Sequence, residues 1–174
     1  DALEYLEKLQ IEIERTSQKI EIETVQPQSS QGRNYKINYN LIIPKSWESV
    51  ISQVNGNIDA AGCEENVVIA AVNGNISLDD IKAGAAVSLI NGNIAADAAI
   101  PEDGICSMEA VNGSILLQIP KETNAEFSAE TTNGVVSCAG VTMTNLTSSN
   151  KKITGTMGTG SGTIDLVLVN GNIS

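Results

Sequence analysis

The chain has 174 residues, with ten Lys and Arg against 21 Asp and Glu, no histidine, and a net charge of −11. A surface of that sign repels phosphate backbones and excludes nucleic acid as a partner, and without an imidazole neither a Ser/His/Asp or Cys/His nucleophile system nor a His-ligated metal site can be assembled. Aromatics are 3% of the residues, so the core must come from small and β-branched side chains in thin layers, and no apolar run reaches the ~18 residues of a membrane span.

The N-terminal part has its own character. Ala2, Leu3, Leu6 and Leu9 are spaced for one face of a short helix. The chain begins at Asp1 inside that pattern with no signal peptide, so an upstream segment is expected to have been removed. Leu9–Glu14 and Ile20–Val25 alternate as strands, close enough for a hairpin through Arg15–Lys19. A polar loop, Pro27–Arg33, leads to a third strand, Tyr35–Ile43, stopped by Pro44. Residues 1–45 read as a helix and β-meander cap, because the first layer of a stacked array exposes its core and an unpaired edge.

Residues 46–174 repeat. Asn-Gly occurs at Asn55-Gly56, Asn73-Gly74, Asn91-Gly92, Asn112-Gly113, Asn133-Gly134 and Asn170-Gly171, with glycine spacings of 18, 18, 21, 21 and 37. A period of ~20 residues is a solenoid signature. The last gap is two periods long, and its midpoint, Ile153-Thr154-Gly155-Thr156-Met157, reads as a degenerate seventh unit. Two residues before the glycine stand Val54, Val72, Ile90, Val111, Thr132 and Val169; two after it stand Ile58, Ile76, Ile94, Ile115, Val136 and Ile173. Apolar columns also lie five and seven before, and the columns between are more polar. Alternation on both sides of a glycine predicts short strands joined by a corner. The fold expected is all-β: a single-chain parallel β-solenoid, or β-helix, of about seven coils, right-handed because parallel crossovers usually are.

Asn-Gly suits the corner, since glycine takes positive φ without steric cost and asparagine tolerates the left-handed region. The same dipeptide between apolar residues also signals antiparallel hairpins, the main alternative. A meander, however, has no reason to keep equal offsets chemically identical. In the solenoid, Asn55, Asn73, Asn91, Asn112, Asn133 and Asn170 line one edge as an amide ladder.

Candidates for chemistry are few. Asp79 and Asp97 share a column, as do Glu109 and Glu130, and each pair is expected ~5 Å apart on neighbouring coils. Either pair could hold a hard cation or do acid/base work, with Asp79 and Asp97 the one candidate metal pair. No Lys or Arg falls in register with them, and solvated surface carboxylates are the simpler reading. Cys106 and Cys138 fall at core offsets with Cys63, as buried, reduced, unreactive thiols in separate columns. Gly158-Thr159-Gly160-Ser161-Gly162 lacks the Gly-Lys-Ser/Thr ending of a phosphate loop and reads as a connection. No cofactor is called for.

Leu41-Ile42-Ile43-Pro44-Lys45 ahead of the first Val-Asn-Gly-Asn-Ile unit, echoed by Leu117-Gln118-Ile119-Pro120-Lys121 ahead of Thr132-Asn133-Gly134, resembles the bacterial adhesin-like domains of the DUF4097 type. The resemblance covers roughly residues 9–174. It implies a β-solenoid of bacterial surface or envelope proteins and no enzyme activity. Asn57, Asn75, Asn93 and Asn172 stand where that family often has Asp, which weakens a carboxylate site in that column. The expected function is a non-catalytic adhesin-like module, extracellular or in the envelope, presenting a repeated polar face to a glycan or protein. The alternative is a membrane-associated regulatory or scaffold domain of an envelope-stress protein, and a polysaccharide-active enzyme is a distant third.

Overall fold

The computed structural model describes residues 4, 6–27, 32 and 35–174. The chain divides into two compact units, Asp1–Ile42 and Ile43–Ser174. Among the described residues the elements are β-strands.

In the first unit, β1 (Gln10–Arg15) and β2 (Ile20–Val25) pair antiparallel, from Gln10 opposite Val25 to Arg15 opposite Ile20. Thr16 closes the turn: its Oγ1 accepts the Lys19 N–H at 3.0 Å, and its N–H donates to the Lys19 carbonyl. Ile11, Ile13, Ile20 and Ile22 are exposed. Ala2 and Leu3 of the expected helix lie outside the described residues, as does most of the polar loop Pro27–Arg33. The third strand expected over Tyr35–Ile43 does not form, since those residues belong to no strand. Alternation supplies a face but not a partner ladder.

The second unit is one large, mostly parallel, solenoid-like sheet. Its strands are β3 (Ser49–Asn55), β4 (Ile58–Ala61), β5 (Val67–Asn73), β6 (Ile76–Ile81), β7 (Ala85–Ala98), β8 (Ile105–Gln118), β9 (Ala125–Asn133), β10 (Thr144–Ser148), β11 (Lys152–Met157) and β12 (Gly162–Ile173). The main path runs β10-β11-β9-β12-β8-β7-β5-β3, with β4 on β6 and β6 on the second half of β7. β5 and β7 are parallel with Asn73 opposite Asn91, so the hairpin alternative fails there. Equal offsets from the glycine pair with one another along the stack.

Two features depart from sequential stacking. Ile153–Met157 is no seventh coil: as β11 it pairs antiparallel with β9, and β10 pairs antiparallel with it. Gly155 has no positive φ, lies within the strand, and makes no corner. With β11 on one edge of β9, the last repeat, β12, enters between β8 and β9 and pairs parallel with both. The rung order is therefore 1-2-3-4-6-5 in repeat number.

Burial alternates along each rung. Val67, Ala85, Cys106, Ile164 and Phe127 form one inner column; Ile69, Val87, Met108, Leu166 and Ala129 the next; Ile76, Ile94, Ile115, Ile173 and Val136 line the inside beyond the corner. The column two before the glycine has the opposite parity. Val54, Ile90, Val111 and Val169 are exposed there and Val72 is half-buried. Among the described residues no helix is long and apolar enough to cross a membrane.

Candidate functional site

The corner explains its own sequence. At Gly74, Gly92, Gly113, Gly171 and Gly134, an added Cβ would lie well inside 3.0 Å of the carbonyl oxygen of the corner glycine one rung away. Stacking thus leaves no room for any side chain. All of these but Gly134, and Gly56 as well, also have φ between 132° and 142°.

The preceding asparagines run along this corner in rung order Asn55, Asn73, Asn91, Asn112, Asn170 and Asn133. Each Nδ2 donates to the Oδ1 of the asparagine before it, at 2.8, 2.9, 2.8, 2.8 and 2.9 Å. Asn170 therefore sits between Asn112 and Asn133 and not at the end of the row. A second row follows the glycine: Asn57 Oδ1 accepts the Asn75 N–H at 3.0 Å, Asn75 Oδ1 accepts Asn93 Nδ2 at 3.1 Å, and Asn93 Oδ1 accepts Ser114 Oγ at 2.7 Å. A primary amide has two donors and two acceptor lone pairs. Each interior asparagine of the first row spends one of each on its neighbours and leaves one of each outside the row.

Both ends of this corner are finished by side chains. At the β3 end, Gln53 Nε2 donates to the Asn55 carbonyl at 2.9 Å and lies over Gly56 where another rung would be. At the β9 end, Lys151 Nζ donates to the Gly134 carbonyl at 2.8 Å. Beside the amide row runs an aliphatic stripe, exposed at Val54, Ile90, Val111 and Val169 and half-buried at Val72, with Val54 63% exposed at the β3 edge and Val169 37%. The site is an amphipathic strip of amide groups next to branched aliphatic side chains, repeated about every 4.8 Å.

The acidic columns do not assemble as expected. Val167 of β12 lies opposite both Glu109 and Glu130, so the two glutamates are two rungs apart, about 10 Å and not ~5 Å. Glu130 also has a cation in register: it accepts from Lys152 Nζ at 2.7 Å. That hydrogen bond and the glutamate's charge, with a smaller contribution from Asp165, hold Lys152 above the ordinary lysine range. Asp79 and Asp97 are exposed, and the register between β6 and β7 shifts from Leu78 opposite Ala96 to Ile81 opposite Ala98. Asp79 and Asp80 together span the place of Asp97, with Asp80 at φ 51°, a β-bulge in place of plain stacking. Among the described residues no group of three or more His, Cys, Asp or Glu is placed to hold a metal ion.

The thiols separate. Cys106 is fully buried between Ala85 and Ile164, and burial pushes its thiol up to about 12. Cys63 is buried, and its thiol is also raised by desolvation. Cys138, expected in the core, is exposed. Cys138 belongs to no strand and lines a shallow groove with Val141, Met143, Leu146 and Ile153, whose apolar surroundings raise its pKa too. A thiol reagent on the native protein is expected to modify Cys138 first, more slowly than a free cysteine because less thiolate is present, and to leave Cys106 untouched until unfolding. Mass mapping of labelled peptides checks this; modification of Cys106 at the rate of Cys138 would mean that the inner column opens readily.

The family model described as Toastrack DUF4097 matches residues 10–174. No curated protein and no solved structure matches the chain.

Proposed function

The chain belongs to the Toastrack DUF4097 family, and we propose on that footing that it is a non-catalytic, adhesin-like β-solenoid, right-handed, acting at the bacterial cell surface or envelope by binding an extended glycan along its corner. The observation that carries this reading is the six-asparagine row beside an exposed aliphatic stripe. A sugar chain offers the same combination in repeat, with hydroxyl groups to meet the spare amide donors and acceptors and C–H faces to cover the valines. Stacking favours binding over catalysis, because rows of one group do not place groups of different pKa in one site. The separation of Glu109 from Glu130 by Val167 supports the same reading.

The experiment is retention on an array of neutral polysaccharides of graded length. Affinity should rise with ligand length, and the double substitution Ile90→Lys with Val111→Lys, which leaves the asparagines and the core intact, should lower it about tenfold, as expected from losing an order of 1–2 kcal/mol of apolar contact. The melting temperature should stay near that of the parent. Absence of retention on every polysaccharide, equal retention by the double variant, or cleavage of a retained glycan would each overturn the proposal.

A further inference from the structure

Asn-Gly is the dipeptide most open to spontaneous deamidation, because a glycine nitrogen without a neighbouring Cβ can approach the asparagine carbonyl carbon freely. The fold should therefore protect each of its six copies or lose them. Five are protected. The Gly56 N–H donates to the Asn73 carbonyl at 2.9 Å and the Gly74 N–H to the Asn91 carbonyl at 3.0 Å. Gly92, Gly113 and Gly171 lie inside β7, β8 and β12, in register with one another. The Oδ1 of each preceding asparagine accepts from the Nδ2 of the next, so the side chain cannot swing towards its own glycine without breaking the row.

Asn133-Gly134 is different on three counts. It is the last parallel rung, so among the described residues no amide donates to Asn133 Oδ1, and its side chain is held through Nδ2 to Asn170 alone. Gly56 and Gly74 also lie outside any strand, but each N–H there finds a backbone acceptor, whereas among the described residues the Gly134 N–H has none. Gly134 is the one corner glycine of the six without a positive φ. Like the other five asparagines of the row, Asn133 is exposed to the water that the reaction consumes.

We infer that Asn133 is a site of spontaneous modification, converting to aspartate and isoaspartate through a cyclic imide with Gly134 while the other five Asn-Gly pairs persist in the folded protein. The Gly134 nitrogen gives its proton to a solvent base and bonds to Cγ of Asn133. The Cγ–Nδ2 bond breaks, and the amide nitrogen leaves as ammonia after taking up a proton from solvent. Water then opens the ring at either carbonyl, so the balance is one water consumed and one ammonia released, with no change of oxidation state. The product has lost the Nδ2 donor to Asn170 and holds a carboxylate there instead, facing an oxygen. The last rung, which carries β11 and β10, is thereby loosened at its corner.

The test is to age the intact protein in mildly alkaline buffer and map peptides by mass spectrometry at intervals, with a parallel sample in denaturant. In the native sample conversion at Asn133 should run at least about tenfold ahead of every other site, the factor that follows from even 1.4 kcal/mol of local opening at the protected rungs. In denaturant the six sites should converge. Conversion of Asn91 or Asn112 as fast as Asn133 in the native protein would overturn the inference, as would no conversion at Asn133. The same lead for Asn133 in denaturant would overturn it too, since local sequence and not the fold would then set the rate.

Discussion

Gly171→Ala is expected to destabilise the protein by about 3–5 kcal/mol, a large fraction of the 5–15 kcal/mol that holds a domain of this size, whereas Gly56→Ala should cost much less. At Gly171 two penalties combine. The backbone has φ 137°, a strained conformation for an L-residue, and the new methyl would overlap the backbone carbonyl of Gly113, which belongs to a paired rung and cannot move alone. At Gly56 the φ of 132° is as unfavourable, but the methyl meets only the end of the Gln53 side chain, which can rotate away. The difference between the two variants therefore isolates the stacking term. Denaturant titration of both measures it, and equal losses would show that φ alone demands glycine at the corner.

The period, the corner and the parallel pairing were legible because each is a local property repeated in register. Val67, Val87 and Ile94 announce the inner columns by offset alone, and stacking at equal offset is what the structure has. The order of the rungs was not legible for the same reason. Any two Asn-Gly corners can stack at equal offset, and although Thr132-Asn133-Gly134-Val135-Val136 and Val169-Asn170-Gly171-Asn172-Ile173 differ in their flanks, either can pair with Asn112 through its amide. The choice is made by β11, which occupies the other edge of β9 and returns the chain towards β8. That single topological step displaced Glu130 from Glu109 and brought Lys152 to Glu130.

The corner amides could be located from sequence, while the apolar half of the strip could not. Val54, Val72, Ile90, Val111 and Val169 look like core residues by composition, yet they stand an odd number of positions from the inner column five before the glycine. Strand parity puts them outside. Cys138 fails by a different route: its offset matches Leu78 and Leu117, but past the bridge of Val136 to Ile173 it belongs to no strand. Offsets predict which side of a sheet a residue takes, and burial further requires a neighbour on the next rung.

Removing β12 should have the largest effect of all. A chain ending at Ser161 is expected to lose the cooperative unfolding transition of the second unit, or to retain only the β3 to β8 portion of it. β12 buries Ile164, Leu166, Leu168 and Ile173, each at most 1% exposed. At about 1.5–3 kcal/mol per fully buried aliphatic side chain their loss amounts to the order of the whole stability of a domain. The truncation also leaves two parallel edges, β8 and β9, facing an empty rung. Closing that gap by pairing β8 directly with β9 is possible in register, Asn112 to Asn133, but would set Glu109 beside Glu130 without returning the lost core. The expected outcome is a broad, non-cooperative melt with exposed apolar surface, and restoration of a sharp transition when a peptide of residues 162–174 is added in excess, because the slot recognises the repeat by its offsets. A truncated chain that melts as sharply and as high as the parent would show that β8 and β9 join directly, and that the inserted strand adds nothing essential to the stack.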